Sequence, residues 1–314
     1  MNTDTDYDNL QYFQMLYERN RDFIFNEQEK ARIPKIIHFI WVGNQPFPES
    51  SIENVKSWVD HHPDWKVVYW TDRRRPLPHP KMEVRLVSEF EFLKLRPCFD
   101  DSDNYGEQAA LLLYEILYQE GGLYVDHDVE CFQSFAPFHR LDFYCGVAPP
   151  DSILLGNSIS ICQAVVGAKP GHPIIKKSIE LVRRYWNDIA PRYSGNNWKS
   201  VVHRVMYRTT LRFEEAVQLA GNQDGYRNIT FPVGYFNKID GDLGIYAHHK
   251  HAVAWLNYET RFEQCARREL YAIADKNNKI LVFSAIILAA NVLLIGALIM
   301  CYRFLRSILR DKGY

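Results

Sequence analysis

Residues 121–128 read Gly121-Gly122-Leu123-Tyr124-Val125-Asp126-His127-Asp128. Two glycines, three strand-forming residues and two carboxylates at i and i+2 follow one another without interruption. Upstream, Glu107 to Glu120 has the pattern of a helix, with Ala109 to Leu113, Ile116 and Leu117 apolar around much of its circumference. Gly121-Gly122 supplies its left-handed C-terminal cap. Leu123-Tyr124-Val125 then reads as a short buried strand that delivers both acids to its carboxyl end. On a continuing strand Asp126 and Asp128 share a face; on a turn they converge on one cation. Two hard oxygen donors suit Mg²⁺ or Mn²⁺, above all where a diphosphate completes an octahedral shell.

The stretch before it defines the sheet. Ile36-Ile37-His38-Phe39-Ile40-Trp41-Val42 is an unbroken apolar run between Pro34 and Gly43, the signature of a strand buried on both faces. Ser51 to His61 reads as a helix with Ile52, Val55, Trp58 and Val59 on one side, stopped by Pro63. Val67-Val68-Tyr69-Trp70 is a second strand, ending in Thr71-Asp72. Strand, helix and strand at this spacing make a βαβ unit and predict an α/β fold with a parallel sheet. Ligands of such sheets sit beyond the carboxyl ends of the strands, which puts Gly43-Asn44 and Thr71-Asp72 near the site. Residues 73–98 read as a Pro-rich loop and a short helix. Phe143 to Ala148 reads as a strand, Pro173 to Trp186 as a helix, and 191–255 as mixed and loop-rich. Residues 1–32 form an amphipathic helical extension.

Composition excludes some functions. The 37 Lys and Arg balance 38 Asp and Glu, which argues against nucleic-acid binding through a general basic field. Aromatic residues make up 14% of the chain, too many for a disordered segment. Ile280 to Cys301 is a run of 22 residues with no charge and with Ser284 and Asn291 as its polar side chains. As a helix it spans about 33 Å, enough for a hydrocarbon core of about 30 Å. Basic residues flank both ends, so charge does not fix its orientation. The N-terminal MNTDTDYDNL has no apolar signal-peptide core. The simplest topology is a single pass near the C-terminus with the main domain in the cytosol. Six cysteines without a CxxC agree with reduced thiols there.

Four segments together resemble one family. Tyr114 through Cys131 resembles the core signature of the sugar-binding, DXD-containing glycosyltransferases (family 32), to which the catalytic domains of the large clostridial glucosylating toxins are similar. Ile33 through Gly43 resembles its opening strand, Gly167 through Pro173 its segment after the motif, and Tyr246-Ala247-His248-His249 through Trp255 its closing block. The resemblance covers residues 33 to about 256 and implies a GT-A domain, bounded here as 33–260; the apolar run then marks a 261–279 linker, a 280–302 transmembrane helix and a 303–314 basic tail. The resemblance also implies a retaining hexosyltransferase that uses Mn²⁺ or Mg²⁺ and a UDP- or GDP-linked sugar. Asp126 would meet the donor's ribose and the metal, Asp128 the metal, and His248 or His249 the metal and diphosphate. Trp41 would stack on or flank the base, with the backbone of Ile40 and Val42 beside it. A membrane anchor implies a lipid or membrane-bound protein as acceptor.

One departure stands out. Where the family's helix carries an Asp and, three residues on, an Arg, this chain has Ala110 and Leu113. Glu107 and Gln108, a turn earlier, are the expected substitutes for holding the donor sugar, with Gln163 as a further contact. The loss leaves open a catalytically degenerate nucleotide- or glycan-binding scaffold; separately, the same Asp pair with water as acceptor would make a metal-dependent hydrolase. The second Asp-x-Asp, Asp240 and Asp242, reads as an ordinary glycine-flanked turn. Arg73-Arg74-Arg75 reads as a solvated charge run or a contact for phosphate or anionic lipid.

Overall fold

The apolar run at 36–42 folds into β1 (Ile36–Trp41), whose four inner residues are buried. In the computed structural model the described residues are 4–149, 158–195, 197–239, 241–256, 279–281, 283–284 and 287–288. The chain divides into Met1–Leu256 and Asn257–Tyr314.

The first unit is built on a seven-stranded sheet. Its strands are β1, β2 (Lys66–Thr71), β3 (Glu83–Leu86), β4 (Gly122–Val125), β6 (Phe143–Val147), β7 (Ile161–Ala168) and β8 (Asn228–Phe231), in the order β3-β2-β1-β4-β7-β6-β8. Four neighbouring pairs are parallel and the two pairs that involve β7 are antiparallel. The fold is thus mixed α/β with a mostly parallel sheet. A separate two-stranded sheet joins β5 (Val129–Cys131) to β9 (Ala247–His249).

Helices cover both faces. Those of the first unit are α1 (Asp4–Asn20), α2 (Asp22–Phe25), α3 (Ile52–His61), α4 (Arg96–Asp101), α5 (Tyr105–Gln119), α6 (Pro173–Ile189), α7 (Trp198–Arg208) and α8 (Thr210–Ala220). One core joins Leu111, Leu112 and Leu117 of α5 to Ile175 and Val182 of α6 and Phe213 of α8. The opposite core gathers Val55 and Trp58 of α3 with Phe135, Phe138 and Phe231. The N-terminal segment is part of this unit: the α1 residues Asn9 and Asn20 donate to the carbonyls of Ile159 and Asn228, both at 2.9 Å. At the end of α5, Gly121 adopts φ +66°, the left-handed cap expected there.

Several elements depart from the sequence pattern. β3 lies in the stretch expected to hold a loop and helix. It is a four-residue edge strand with a polar, half-exposed sequence, and Arg85 pairs with Glu83 and Glu120. Residues 191–255, expected to be loop-rich, contain α7 and α8. Arg204 and Arg208 are buried in α7, so its inner face does not read as apolar.

No helix among the described residues is long and apolar enough to cross a membrane. The expected 280–302 span lies outside the described residues, apart from Ile280, Leu281, Phe283, Ser284, Ile287 and Leu288, which are helical. The 303–314 tail, all of the 261–279 linker except Lys279, and Asp240 also lie outside them.

Candidate active site

Parallel pairing of β1 with β4 sets Ile37 beside Leu123 and His38 beside Tyr124. The carboxyl ends of these strands therefore open on one edge, with Trp41 ending β1 and Asp126 following β4. After Asp126 the chain turns, with Val129 N–H donating to Asp126 O at 3.1 Å, and enters β5. Pairing of β5 with β9 places Val129 opposite His249. Asp126, Asp128 and His249 thereby meet, each offering a ligand atom within 4.8 Å of the others. His249 Nε2 lies 3.4 Å from Asp128 Oδ1 and 3.9 Å from Asp126 Oδ2.

Each member is held from behind. Tyr124 donates its hydroxyl to Asp126 Oδ1 at 2.5 Å, and Ala252 N–H donates to Asp128 Oδ2 at 2.6 Å. His249 Nδ1 faces Cys162 Sγ at 3.7 Å, and His251 packs against the His249 ring with centroids 3.9 Å apart. Burial pushes Asp126 up to about 6, and the neighbouring Asp128 charge adds to the shift. Burial would raise Asp128 too, but the hydrogen bond and charge of His249 hold it well below the usual carboxylate range. Burial would lower His249; Asp128 and Cys162 overcome this and raise it well above the ordinary imidazole value. Two crowded acids and an imidazole fit a divalent cation in donor type. Donors at right angles around an ion about 2.1 Å away lie about 3 Å apart, slightly closer than the 3.4 Å and 3.9 Å separations here. The positive charge would also relieve the repulsion between the carboxylates.

His248 and His249 do different things because they sit on one strand. His249 faces the acids, whereas His248 alternates to the other face, opposite Glu130.

The rim of the site is aromatic. Trp41 meets Phe47 and His127 edge-on, with centroids 5.6 Å and 4.8 Å away, and donates Nε1–H to Gln45 O at 2.9 Å. His127, which the sequence marked only as the spacer of Asp-x-Asp, is fixed by Ser51 Oγ at 2.8 Å from its Nδ1. Ile40 and Val42 are buried on either side of Trp41. Gly43 turns at φ +102°, and a Cβ there would lie 2.3 Å from the Tyr105 ring, so the glycine is needed for the start of α5 to approach β1. Arg75 clamps this loop through the carbonyls of Gly43 and Gln45 and through Asp72 at 2.9 Å. The Arg73–Arg75 run thus contains one nearly buried structural arginine.

The residues expected to hold a donor sugar lie along α5 and β7. Ala110 and Leu113 are buried and apolar. Glu107 is buried, accepts from Ser102 at 2.6 Å and pairs with Arg208 of α7 at 3.3 Å; its Oε1 has no hydrogen-bond partner. Gln108 donates to the carbonyls of Phe99 and Ser102, both at 3.1 Å. Gln163 accepts from Tyr114 at 2.7 Å and donates to Thr210 Oγ1 at 3.0 Å. None of these three belongs to the Asp126–Asp128–His249 cluster. Sequence reasoning gave no role to Cys162 or His127.

A glycosyltransferase class of domain fits this edge, and comparison with known proteins agrees. The model of the glycosyltransferase sugar-binding region containing DXD motif matches residues 48–144, which include Asp126 and Asp128. Residues 48–144 are thus similar to this glycosyltransferase region. The chain is 28% identical over 168 residues to inositol phosphoceramide mannosyltransferase 3 of Schizosaccharomyces pombe, covering 52% of this chain and 42% of that one. It is 29% identical over 158 residues to mannosyl phosphorylinositol ceramide synthase SUR1 of Saccharomyces cerevisiae, covering 49% and 35%. The chain therefore spans less than half the length of these relatives. Among solved structures, the PaToxG glycosyltransferase aligns with a TM-score of 0.45 and 14% identity over 68% of this chain and 79% of that one.

Proposed function

We propose that the chain is a retaining hexosyltransferase of GT-A type that takes its sugar from a UDP- or GDP-linked donor. The observation that carries this is the convergence of Asp126, Asp128 and His249 at the carboxyl edge of the sheet, beside Trp41. A bound Mn²⁺ or Mg²⁺ would neutralise charge that develops on the departing diphosphate.

The protein's own part is positioning. The Ala252 N–H fixes one Asp128 oxygen and leaves the other toward His249, while Tyr124 fixes Asp126 in the same way. Little reorganisation is then needed when the donor binds. Trp41, braced by Phe47 and His127, offers a ring to the base between the buried backbones of Ile40 and Val42. We retain Glu107, through its unpartnered Oε1, together with Gln108 and Gln163 as donor-sugar positions, and His248 as a contact beside the metal. The activities for which the two yeast relatives are named support mannose as the sugar and an inositol-phosphoceramide-like lipid as the acceptor. The apolar 280–302 segment supports a single-pass anchor that keeps the cytosolic catalytic domain near such a lipid or a membrane-bound protein. Protease protection of the full chain in sealed membranes tests that sidedness.

A second reading is a nucleotide- or glycan-binding scaffold. It is favoured by the buried apolar Ala110 and Leu113 and by the ion pair that engages Glu107. The test is release of free nucleoside diphosphate by the full chain in detergent, with Mn²⁺ and a panel of UDP- and GDP-sugars. We expect release from one donor, dependent on Mn²⁺ and lost in Asp128→Ala. Nucleotide binding without release from any donor would decide for the scaffold.

A further inference from the structure

We propose that Cys162 is a positioning residue for the metal site, acting through His249; this rests on the metal-dependent reading above. An imidazole that binds a cation through Nε2 needs its lone pair there and its hydrogen on Nδ1. Whatever accepts the Nδ1 hydrogen fixes both the tautomer and the ring orientation. Among the described residues, the partner of Nδ1 is Cys162 Sγ at 3.7 Å, within the reach of a sulfur acceptor.

The fold leaves room for this pairing. Cys162 enters from β7, the antiparallel strand beside β4, where Gly146 of β6 is its register partner. The two side chains line a small, tight cleft together with Gly146, Ala164, Val165, Phe236 and Asn237. That cleft is apolar apart from Asn237, whose Nδ2 donates to Val147 O at 3.4 Å. Cys162, His249 and Asp128 thus form a continuous line, Sγ to Nδ1 at 3.7 Å and Nε2 to Oδ1 at 3.4 Å. Carboxylates and carbonyls usually occupy the outer position of such a line. Here a thiol takes it, in a pocket where a carboxylate would be buried without a second partner.

The test is binding of Mn²⁺ alone to the full chain, read from loss of the free-ion electron paramagnetic resonance signal. Cys162→Ala should bind Mn²⁺ about 10-fold or more weakly, as losses of outer partners of metal-bound histidines do. Cys162→Ser, which keeps an acceptor, should recover most of the affinity. Cys98→Ala, a buried cysteine on α4, should leave it unchanged. Thermal midpoints separate positioning from folding, and Cys162→Val replaces the alanine variant if its larger void unfolds the protein. Wild-type affinity in a folded Cys162→Ala or Cys162→Val would overturn the assignment. So would equal losses in Ala and Ser variants that track lowered midpoints. Absence of Mn²⁺ binding by the wild-type chain would overturn the metal-dependent function and this assignment together. Tight binding by both wild type and Cys162→Ala would overturn the role of Cys162 alone.

Discussion

Tyr124 and Tyr114 make buried hydrogen bonds of different kinds. Tyr124 donates to a carboxylate, Asp126, at 2.5 Å, whereas Tyr114 donates to a neutral amide, Gln163, at 2.7 Å. Hydrogen bonds to charged groups contribute about 1.5–3 kcal/mol and neutral ones about 0.5–1.5 kcal/mol. Tyr124→Phe should therefore destabilise the apo protein by about 2 kcal/mol and Tyr114→Phe by about 1 kcal/mol, measured by urea unfolding at neutral pH. Equal losses would show that Asp126 does not accept a charge-assisted bond from Tyr124. The carboxylates themselves are legible in the sequence because they are local: Asp126 and Asp128 lie two residues apart at the end of one strand. The imidazole is not, because His248 and His249 are distinguished by the alternation of β9, and β9 is fixed by pairing with a strand more than a hundred residues away. Cys162 was hidden for the same reason, since 87 residues separate it from His249.

The elements are joined by contacts that make separate predictions. Glu107 of α5 and Arg208 of α7 form a buried pair, with Arg208 also lying over the Trp186 ring at 3.9 Å. Removing one partner leaves the other charge buried, at a cost of about 3–5 kcal/mol. Glu107→Leu and Arg208→Met should each destabilise by that amount, and the double variant by much less than their sum. Additive losses in a double-mutant cycle would refute the pairing. The start of α5 makes a second contact: a Cβ on Gly106 would lie 2.3 Å from Trp255 Cβ. Gly106→Ala must therefore displace the 252–256 segment, whose Ala252 N–H holds Asp128. We expect Mn²⁺ affinity to fall about 10-fold with a smaller change in unfolding midpoint, by analogy with lost outer-shell partners; unchanged affinity would show that the segment does not control Asp128. The elements legible in the sequence are those with an apolar run or a helical period: β1, β2, β4 and β6, and α3, α5 and α6. β3 and α7 escaped because an edge strand needs no apolar face and buried arginines mask a helical one.

Across the whole first unit, four histidines are buried in neutral form: His38, His62 and His172 are lowered to about 4 and His139 to about 3, each chiefly by burial. They are structural. His38, for example, lies within hydrogen-bonding distance of Gly121 O at 2.9 Å and of Trp70 Nε1 at 3.2 Å. Their folded values lie below the unfolded value of about 6.5, so the unfolded chain binds more protons between those limits. Their contribution to stability is complete above pH 6.5 and falls as the pH drops toward 4. Asp126, raised to about 6, works in the opposite direction, as do Glu107 and Glu214, which burial also raises, and His249, which Asp128 and Cys162 raise against burial. A net uptake of roughly one to three protons on unfolding corresponds to about 1.4–4 kcal/mol per pH unit. Against a total stability of about 5–15 kcal/mol, that slope is large. The carboxylates held low by ion pairs, such as Asp142 beside Lys169 and Arg32, add their loss only below their unfolded value of about 3.8. Urea midpoints of the metal-free protein should therefore begin to fall near pH 6.5, well before the loss of the ion-paired carboxylates sets in. A midpoint that stayed flat from pH 7 to pH 5 would show that these imidazoles are not held neutral by the fold.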